Sequence, residues 1–203
     1  MINGKFVVMA SGRGSNFQTI VDRVTDGYIP ATCKALITDN PYAGAIKKAE
    51  DAGIPARVVD YHAFPDKYAY ETQLIETIAG FSPDLIVLAG YMRILGDRIV
   101  DSYSDRMMNI HPSLLPAFPG LHAQQQALDY GTRIAGCTVH FVTRDMDAGP
   151  VIIQRVVPVL DDDDEDALAD RILKEEHQAF PDAIRFFFYD KLVKEGRRVR
   201  ILP

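Results

Sequence analysis

Cysteine is scarce in these 203 residues. Cys33 and Cys137 are the only two, and neither has the spacing of a metal site. A disulfide framework is excluded, and a reducing compartment such as the cytoplasm is expected. A surplus of positive charge is also missing. The formal net charge is −6, which argues against a nucleic-acid partner held by broad electrostatic attraction; an anionic ligand needs a local site. Long hydrophobic runs are missing as well. The N-terminal run Phe6–Ala10 is too short for a signal peptide and far too short to span a bilayer, so no membrane partner is expected. No internal repeat or low-complexity linker interrupts the chain. What is present is ordinary: 47% hydrophobic and 25% charged residues, the composition of a soluble globular protein, with length enough for one domain and a sizeable core.

The first motif joins a strand to a helix. Lys5–Ala10 is a continuous apolar run, as in a strand buried on both faces. It leads into Ser11-Gly12-Arg13-Gly14-Ser15-Asn16 and then the periodic run Phe17, Ile20, Val21, Val24. Glycines permit unusual backbone angles and close approach of a ligand. Ser15 or Asn16 is expected to cap the helix. Free amides at the helix start, with the positive end of its dipole, favour a phosphate, and Arg13 adds a charge. The full G-x-G-x-x-G spacing is absent, and such a loop also serves simply as a tight bend. Further on, Thr32–Thr38, Ala56–Val59 and Leu85–Ala89 read as strands, while Tyr42–Ala52 and Asp66–Ala79 read as helices. Alternation of this kind predicts a doubly wound, mostly parallel sheet, whose ligands collect at the carboxyl ends of the strands. The apolar loop Gly90–Leu95 at such an end fits either core or the wall of a pocket for a flat heterocycle.

Asn109-Ile110-His111-Pro112-Ser113-Leu114-Leu115-Pro116 follows the apolar pair Met107-Met108. It reads as a strand ending in a proline-bounded loop. Residues two apart in a strand share a face, so Asn109 and His111 point together, and Pro112 keeps His111 extended. A side-by-side amide and imidazole suit negative charge developing on a carbonyl oxygen. The tripeptide alone also fits a histidine satisfied in a loop. Beyond a short helix at Gln124–Tyr130, Gly136–Val142 alternates with Thr138 and His140 on one face. A bend at Asp145–Pro150 and a strand at Val151–Val157 predict an antiparallel pair, because the link is too short for a crossover helix. Asp145 and Asp147 also fit ordinary turn chemistry. The acid run Asp161–Asp166 reads as a solvated helix start, and Phe186–Tyr189 are expected to pack that helix on the sheet. Val199–Leu202 is expected as an edge strand.

Four blocks occur in order: Ser11–Asn16, Ala89–Leu95, Asn109–Pro116 and Asp147-Ala148-Gly149-Pro150. Together they resemble the phosphoribosylglycinamide formyltransferase family, folate-dependent enzymes of purine synthesis, from about Phe6 to Pro181. The resemblance implies one α/β formyltransferase domain over residues 1–203. It would be a Rossmann-like, doubly wound, mostly parallel sheet with an antiparallel C-terminal extension. Residues 1–105 would be the phosphate-binding half and 106–203 the catalytic and folate-binding half. The implied donor is 10-formyltetrahydrofolate, a co-substrate, and the implied acceptor is the amine of N1-(5-phosphoribosyl)glycinamide. By position, Gly14, Ser15 and Asn16 would hold the acceptor's phosphate and Glu176 its sugar or glycinamide end. Met92, Arg93, Ile94 and Leu95 would line the folate pocket with Asn109, Thr143, Arg144, Asp145, Met146 and Asp147, and Lys67 would lie near the glutamate tail. Asn109, His111 and Asp147 would be catalytic, with Asp147 keeping His111 in its charged form. In place of a second histidine after His122, this chain has Gln124.

No metal is expected; His111, His140 and Asp147 come from three elements without a local ligand motif. Rival readings are a hydrolase passing the formyl group to water, a transferase acting on aminoacyl-tRNA, and a non-enzymatic folate or nucleotide module. The first is expected to carry an extra N-terminal regulatory module and the second a basic C-terminal domain, neither of which is read here. The catalytic set argues against the third. Monomer and homodimer both remain open.

Overall fold

The structure, a computed structural model, describes residues 4–203, so the first three residues of the expected domain lie outside the described residues. The chain divides between Asn109 and Ile110 into two compact units. The first unit runs β1 (Gly4–Met9), α1 (Ser15–Thr25), β2 (Ala31–Thr38), α2 (Gly44–Asp51), β3 (Ala56–Val58), α3 (Lys67–Ala79), β4 (Leu85–Leu88), α4 (Asp97–Ser102) and the start of β5 (Met107–His111). Its strands are parallel in the order β3-β2-β1-β4-β5. The apolar runs explain this. Phe6 to Met9 of β1 and Leu85 to Val87 of β4 are fully buried, as strands covered on both faces must be. Phe17, Ile20 and Val21 form the buried stripe of α1. Chain order reverses between β1 and β4, which makes their carboxyl ends the topological switch point where ligands of such sheets bind.

The second unit contains α5 (Ala123–Tyr130), β6 (Ile134–Phe141), β7 (Val151–Pro158), α6 (Glu165–Phe188), β8 (Leu192–Glu195) and β9 (Arg198–Ile201). β6 and β7 pair antiparallel, with Ile134 opposite Pro158 and His140 opposite Val151. Helix α6 lies on both strands. The fold is therefore α/β, with mostly parallel Rossmann-like strands first and antiparallel pairing toward the C-terminus. Among the described residues no helix is long and apolar enough to cross a membrane.

Several local expectations are corrected. Neither Ser15 nor Asn16 caps α1; the N-cap is Gly14, and no side chain caps the helix. The C-terminal strand is not the edge: β9 lies between β7 and β8, and the edge strand is β8. Of Phe186 to Tyr189, only Phe188 is buried. The last three helical residues, Phe186 to Phe188, point around the axis, and one of them reaches the stripe formed by Leu168, Ile172, Phe180 and Ile184, while Tyr189 is the C-cap. Strand β6 is buried on both faces from Ala135 to Phe141. The acid run is more than a solvated start. Asp164 caps α6 by accepting from the Ala167 N–H at 2.8 Å, and Asp163 accepts two hydrogen bonds from Arg171 at 2.6 and 2.7 Å.

Candidate active site

Strand β5 sets the first two groups. Met108 and Ile110 are buried on one face; Met107, Asn109 and His111 share the other, where Met107 and His111 are buried and Asn109 is half-buried. The loop after β5 is fastened to the β6–β7 pair. The Thr138 hydroxyl donates to the Ser113 carbonyl at 2.6 Å and accepts from the Leu115 N–H at 3.1 Å. The Gln154 amide donates to the Leu115 carbonyl at 2.8 Å. His111 is thereby held at a fixed strand end rather than on a free loop.

Asp147 arrives from the bend between β6 and β7. Its φ is +51°, a left-handed conformation that aspartate tolerates better than most residues and that marks a constrained position. Gly149 makes the close approach possible: a Cβ there would lie 1.6 Å from the Phe141 carbonyl oxygen, so no other residue allows the bend to lie on β6. The Asp147 carboxylate is 10% exposed and sits between two imidazoles, with Oδ2 3.5 Å from His111 Nδ1 and Oδ1 3.8 Å from His140 Nε2. The Gly120 N–H donates to Oδ2 at 2.8 Å, which fixes the direction of the carboxylate.

The two histidines differ. His111 Nε2 is 2.9 Å from the Phe118 carbonyl oxygen, while its Nδ1 faces the Asp147 carboxylate. Both ring nitrogens thus face oxygen atoms. His140 Nδ1 is 2.9 Å from the Phe141 carbonyl oxygen. Burial holds the His140 imidazole below its ordinary pKa, partly offset by that hydrogen bond and by the Asp147 charge, so His140 favours the neutral form with its proton on Nδ1. Among the described residues no group of three or more His, Cys, Asp or Glu side chains is arranged to hold a metal ion.

The first unit carries the loops that the sequence assigns to ligands. Gly14 has φ +73°, and a Cβ there would lie 2.7 Å from the Ala45 Cβ, so glycine alone brings the loop against α2. Ser15 and Asn16 open α1, where the first amides of a helix have no intrahelical acceptor. After β4, Met92 and Ile94 are 65% and 66% exposed, whereas Leu95 is buried. Arg93 is tied by its Nε to Asp39 at 2.8 Å. The Tyr91 hydroxyl bonds that of buried Tyr70, whose phenol burial pushes up to about 12. Lys67 pairs with Glu71 at 3.6 Å, which in turn accepts from the Gly96 N–H at 2.6 Å.

The remaining assigned residues belong to the second unit. Arg144, Asp145 and Met146 are exposed, with Thr143 half-buried and bonded to the Asp145 carbonyl at 3.2 Å. Glu176 is buried on α6, and its charge adds to the burial that pushes the Cys137 thiol up to about 12. The structure brings His111 and Asp147 together, with Asn109 two residues away on the same strand. The nearness of the bend's carboxylate to His140 was anticipated, but sequence reasoning missed the supports: the Gly120 amide, the Phe118 carbonyl and Gln154. The one available signal was that Thr138 and His140 share a face of β6.

An α/β fold with a glycine loop at the start of α1 and, in its second unit, a histidine 3.5 Å from an aspartate carboxylate fits a formyl transferase. The formyl transferase family model matches residues 4–184, and the chain belongs to that family. Its relatives narrow the class. The phosphoribosylglycinamide formyltransferase of Escherichia coli (strain K12) is 43% identical over 181 residues, 89% of this chain and 85% of that protein. The trifunctional purine biosynthetic protein adenosine-3 of Drosophila melanogaster is 43% identical over 182 residues, and this chain spans 14% of that protein's length. The crystal structure of glycinamide ribonucleotide transformylase 1 from Symbiobacterium toebii superposes with a TM-score of 0.97 at 46% identity, covering 100% of this chain and 95% of that one.

Proposed function

We propose that the chain transfers the formyl group of 10-formyltetrahydrofolate to the amine of N1-(5-phosphoribosyl)glycinamide, a step of purine synthesis. The observation that carries the reading is the Asp147 carboxylate, held by the Gly120 amide and seated 3.5 Å from His111. His111 in turn is two residues from Asn109 on β5. The neutral amine of the acceptor attacks the formyl carbon, forming a C–N bond while the carbonyl oxygen becomes anionic. The Asn109 amide donates to that oxygen. His111, beside Asp147, stabilises that developing charge. Asp147, or a water it holds, takes the proton from the attacking nitrogen. The proton then passes to the folate nitrogen as its bond to the formyl carbon breaks.

The ligand assignments belong to the same proposal. Gly14, Ser15 and Asn16 offer backbone amides to the acceptor's phosphate, and Glu176 takes its sugar or glycinamide end. The exposed Met92 and Ile94, with Arg93 and Leu95, are assigned to the folate, and so are Asn109 and the loop Thr143–Asp147. Lys67, already paired with Glu71, lies toward the glutamate tail. The reaction as written needs no metal. Cytoplasmic location and a monomeric or homodimeric state complete the reading.

The test is to mix the protein with 10-formyltetrahydrofolate, with and without the ribonucleotide, and follow loss of the donor. Loss that depends on the acceptor is expected. Loss without acceptor would make the protein a hydrolase, and no loss would make it a binding module.

A further inference from the structure

Two loops carry the ligands on the formyltransferase reading, on which this inference rests: the glycine loop after β1 and the Gly90–Leu95 loop after β4. One carboxylate ties them together. Asp39 directly follows β2 and is 4% exposed. It accepts a hydrogen bond from the Ser11 hydroxyl and one from Arg93 Nε. Ser11 opens the glycine loop, and every polar group it has is engaged. Its N–H donates to the Gly90 carbonyl at 3.0 Å, its hydroxyl oxygen accepts from the Met92 N–H at 2.9 Å, and its carbonyl accepts from the Asn40 amide at 3.1 Å. The Arg93 guanidinium is also stacked 4.1 Å from the ring centroid of Tyr61, which lies beyond β3. Strands β3, β2, β1 and β4 are consecutive neighbours in the sheet. Loops from four adjacent carboxyl ends therefore converge on one buried charge at the switch point.

We infer that Asp39 is a positioning residue that locks the phosphate loop and the folate-pocket loop into one ligand-binding surface. The strand cores do not need it: they are apolar and packed on both faces. What its two hydrogen bonds constrain is the angle of the Arg93 side chain and the height of the Met92 amide above the sheet. Both stand in the segment assigned to the donor's flat heterocycle. A carboxylate suits this position because it accepts on both oxygens. An asparagine accepts on one and donates on the other, so Asp39→Asn can satisfy only one of these two donors through its oxygen and turns an N–H toward the other.

The experiment compares wild type with Asp39→Asn in steady-state transfer and in amide hydrogen exchange of the ligand-free protein. The expected kinetic result is a KM for 10-formyltetrahydrofolate raised about tenfold, the scale of one charge-assisted hydrogen bond lost, with kcat within about twofold. The expected exchange result is faster exchange in the Gly90–Leu95 segment, with the amides of β1 and β4 protected as in wild type. Arg93→Met, which keeps the apolar stem and removes the same bond from its other end, is expected to reproduce the exchange result, the readout that does not depend on Arg93's own place in the folate pocket. It also serves in place of Asp39→Asn if that variant does not fold. A lowered kcat with unchanged KM, or exchange raised evenly across the first unit, would make Asp39 a merely structural residue and overturn the inference. A wild-type protein that transfers no formyl group would sink the formyltransferase reading instead, and the exchange measurement would still decide the role of Asp39.

Discussion

At the scale of single residues, the site depends on groups whose direction is fixed by backbone rather than by other side chains. Asn109 takes its aim from strand alternation, and Asp147 from the Gly120 amide and the left-handed bend. Removing a preorganised donor to an oxyanion typically costs on the order of 10²–10³ in rate. Asn109→Ala is therefore expected to lose about that much in kcat, with the KM for the ribonucleotide little changed, because the amide is called on after the acceptor is bound. An unaltered kcat would remove Asn109 from the reaction. At this scale the sequence was readable where one periodicity sufficed. The shared face of Asn109 and His111 follows from their spacing and from Pro112. It was not readable where a side chain meets a distant backbone atom. The carbonyl of Phe118 and the N–H of Gly120 carry no residue-type signal, since every non-proline residue has them.

At the scale of elements, the ends of strands and helices were harder to read than their existence. Strands β1 and β4 were legible because apolar stretches without polar breaks have few other uses, and β6 and β7 because the link between them is too short for a crossover helix. The cap of α1 was not. Ser15 and Asn16 are strong capping residues, yet the close approach of Ala45 demands glycine at the cap position, and the helix starts one residue earlier than propensity suggests. The acid run was legible as a helix start, but not as the anchor it becomes through Arg171. That anchor gives a pH-dependent prediction. The guanidinium of Arg171 first, and then the Leu160 amide, lower the Asp163 carboxyl from 3.8 to about 2. A carboxyl depressed in the folded state stabilises at pH above its unfolded value, and that contribution fades as pH falls from about 4 toward 2. Asp163→Asn should lower the Tm by a few degrees at pH 7, and the difference from wild type should shrink on acidification through that window. A difference that is constant with pH would mean that the pair contributes through packing alone.

At the scale of the whole molecule, a protein of net charge −6 is proposed to bind a phosphorylated acceptor. Summed over the surface, the field is repulsive, but it is screened beyond about 8–10 Å at physiological salt. Affinity must then come from amides within hydrogen-bonding reach of the phosphate: the start of α1 behind Gly14. A ligand that binds only the folded protein at about 100 times its Kd stabilises it by about 2.7 kcal/mol, which for a chain of this size corresponds to a rise in Tm of roughly 5–10 °C. Saturating N1-(5-phosphoribosyl)glycinamide is expected to produce a rise of that order. Because the proposed contacts are short and backbone-borne, raising sodium chloride to about 0.3 M should leave most of the rise in place. A nucleic-acid binder, by contrast, loses affinity steeply with salt because each phosphate contact releases counterions. In Gly14→Ala the added Cβ meets Ala45 and the left-handed backbone is strained, so the amides lose their common direction. That variant should show little of the rise while keeping its response to the folate. A full ribonucleotide response in Gly14→Ala would move the phosphate site away from this helix start.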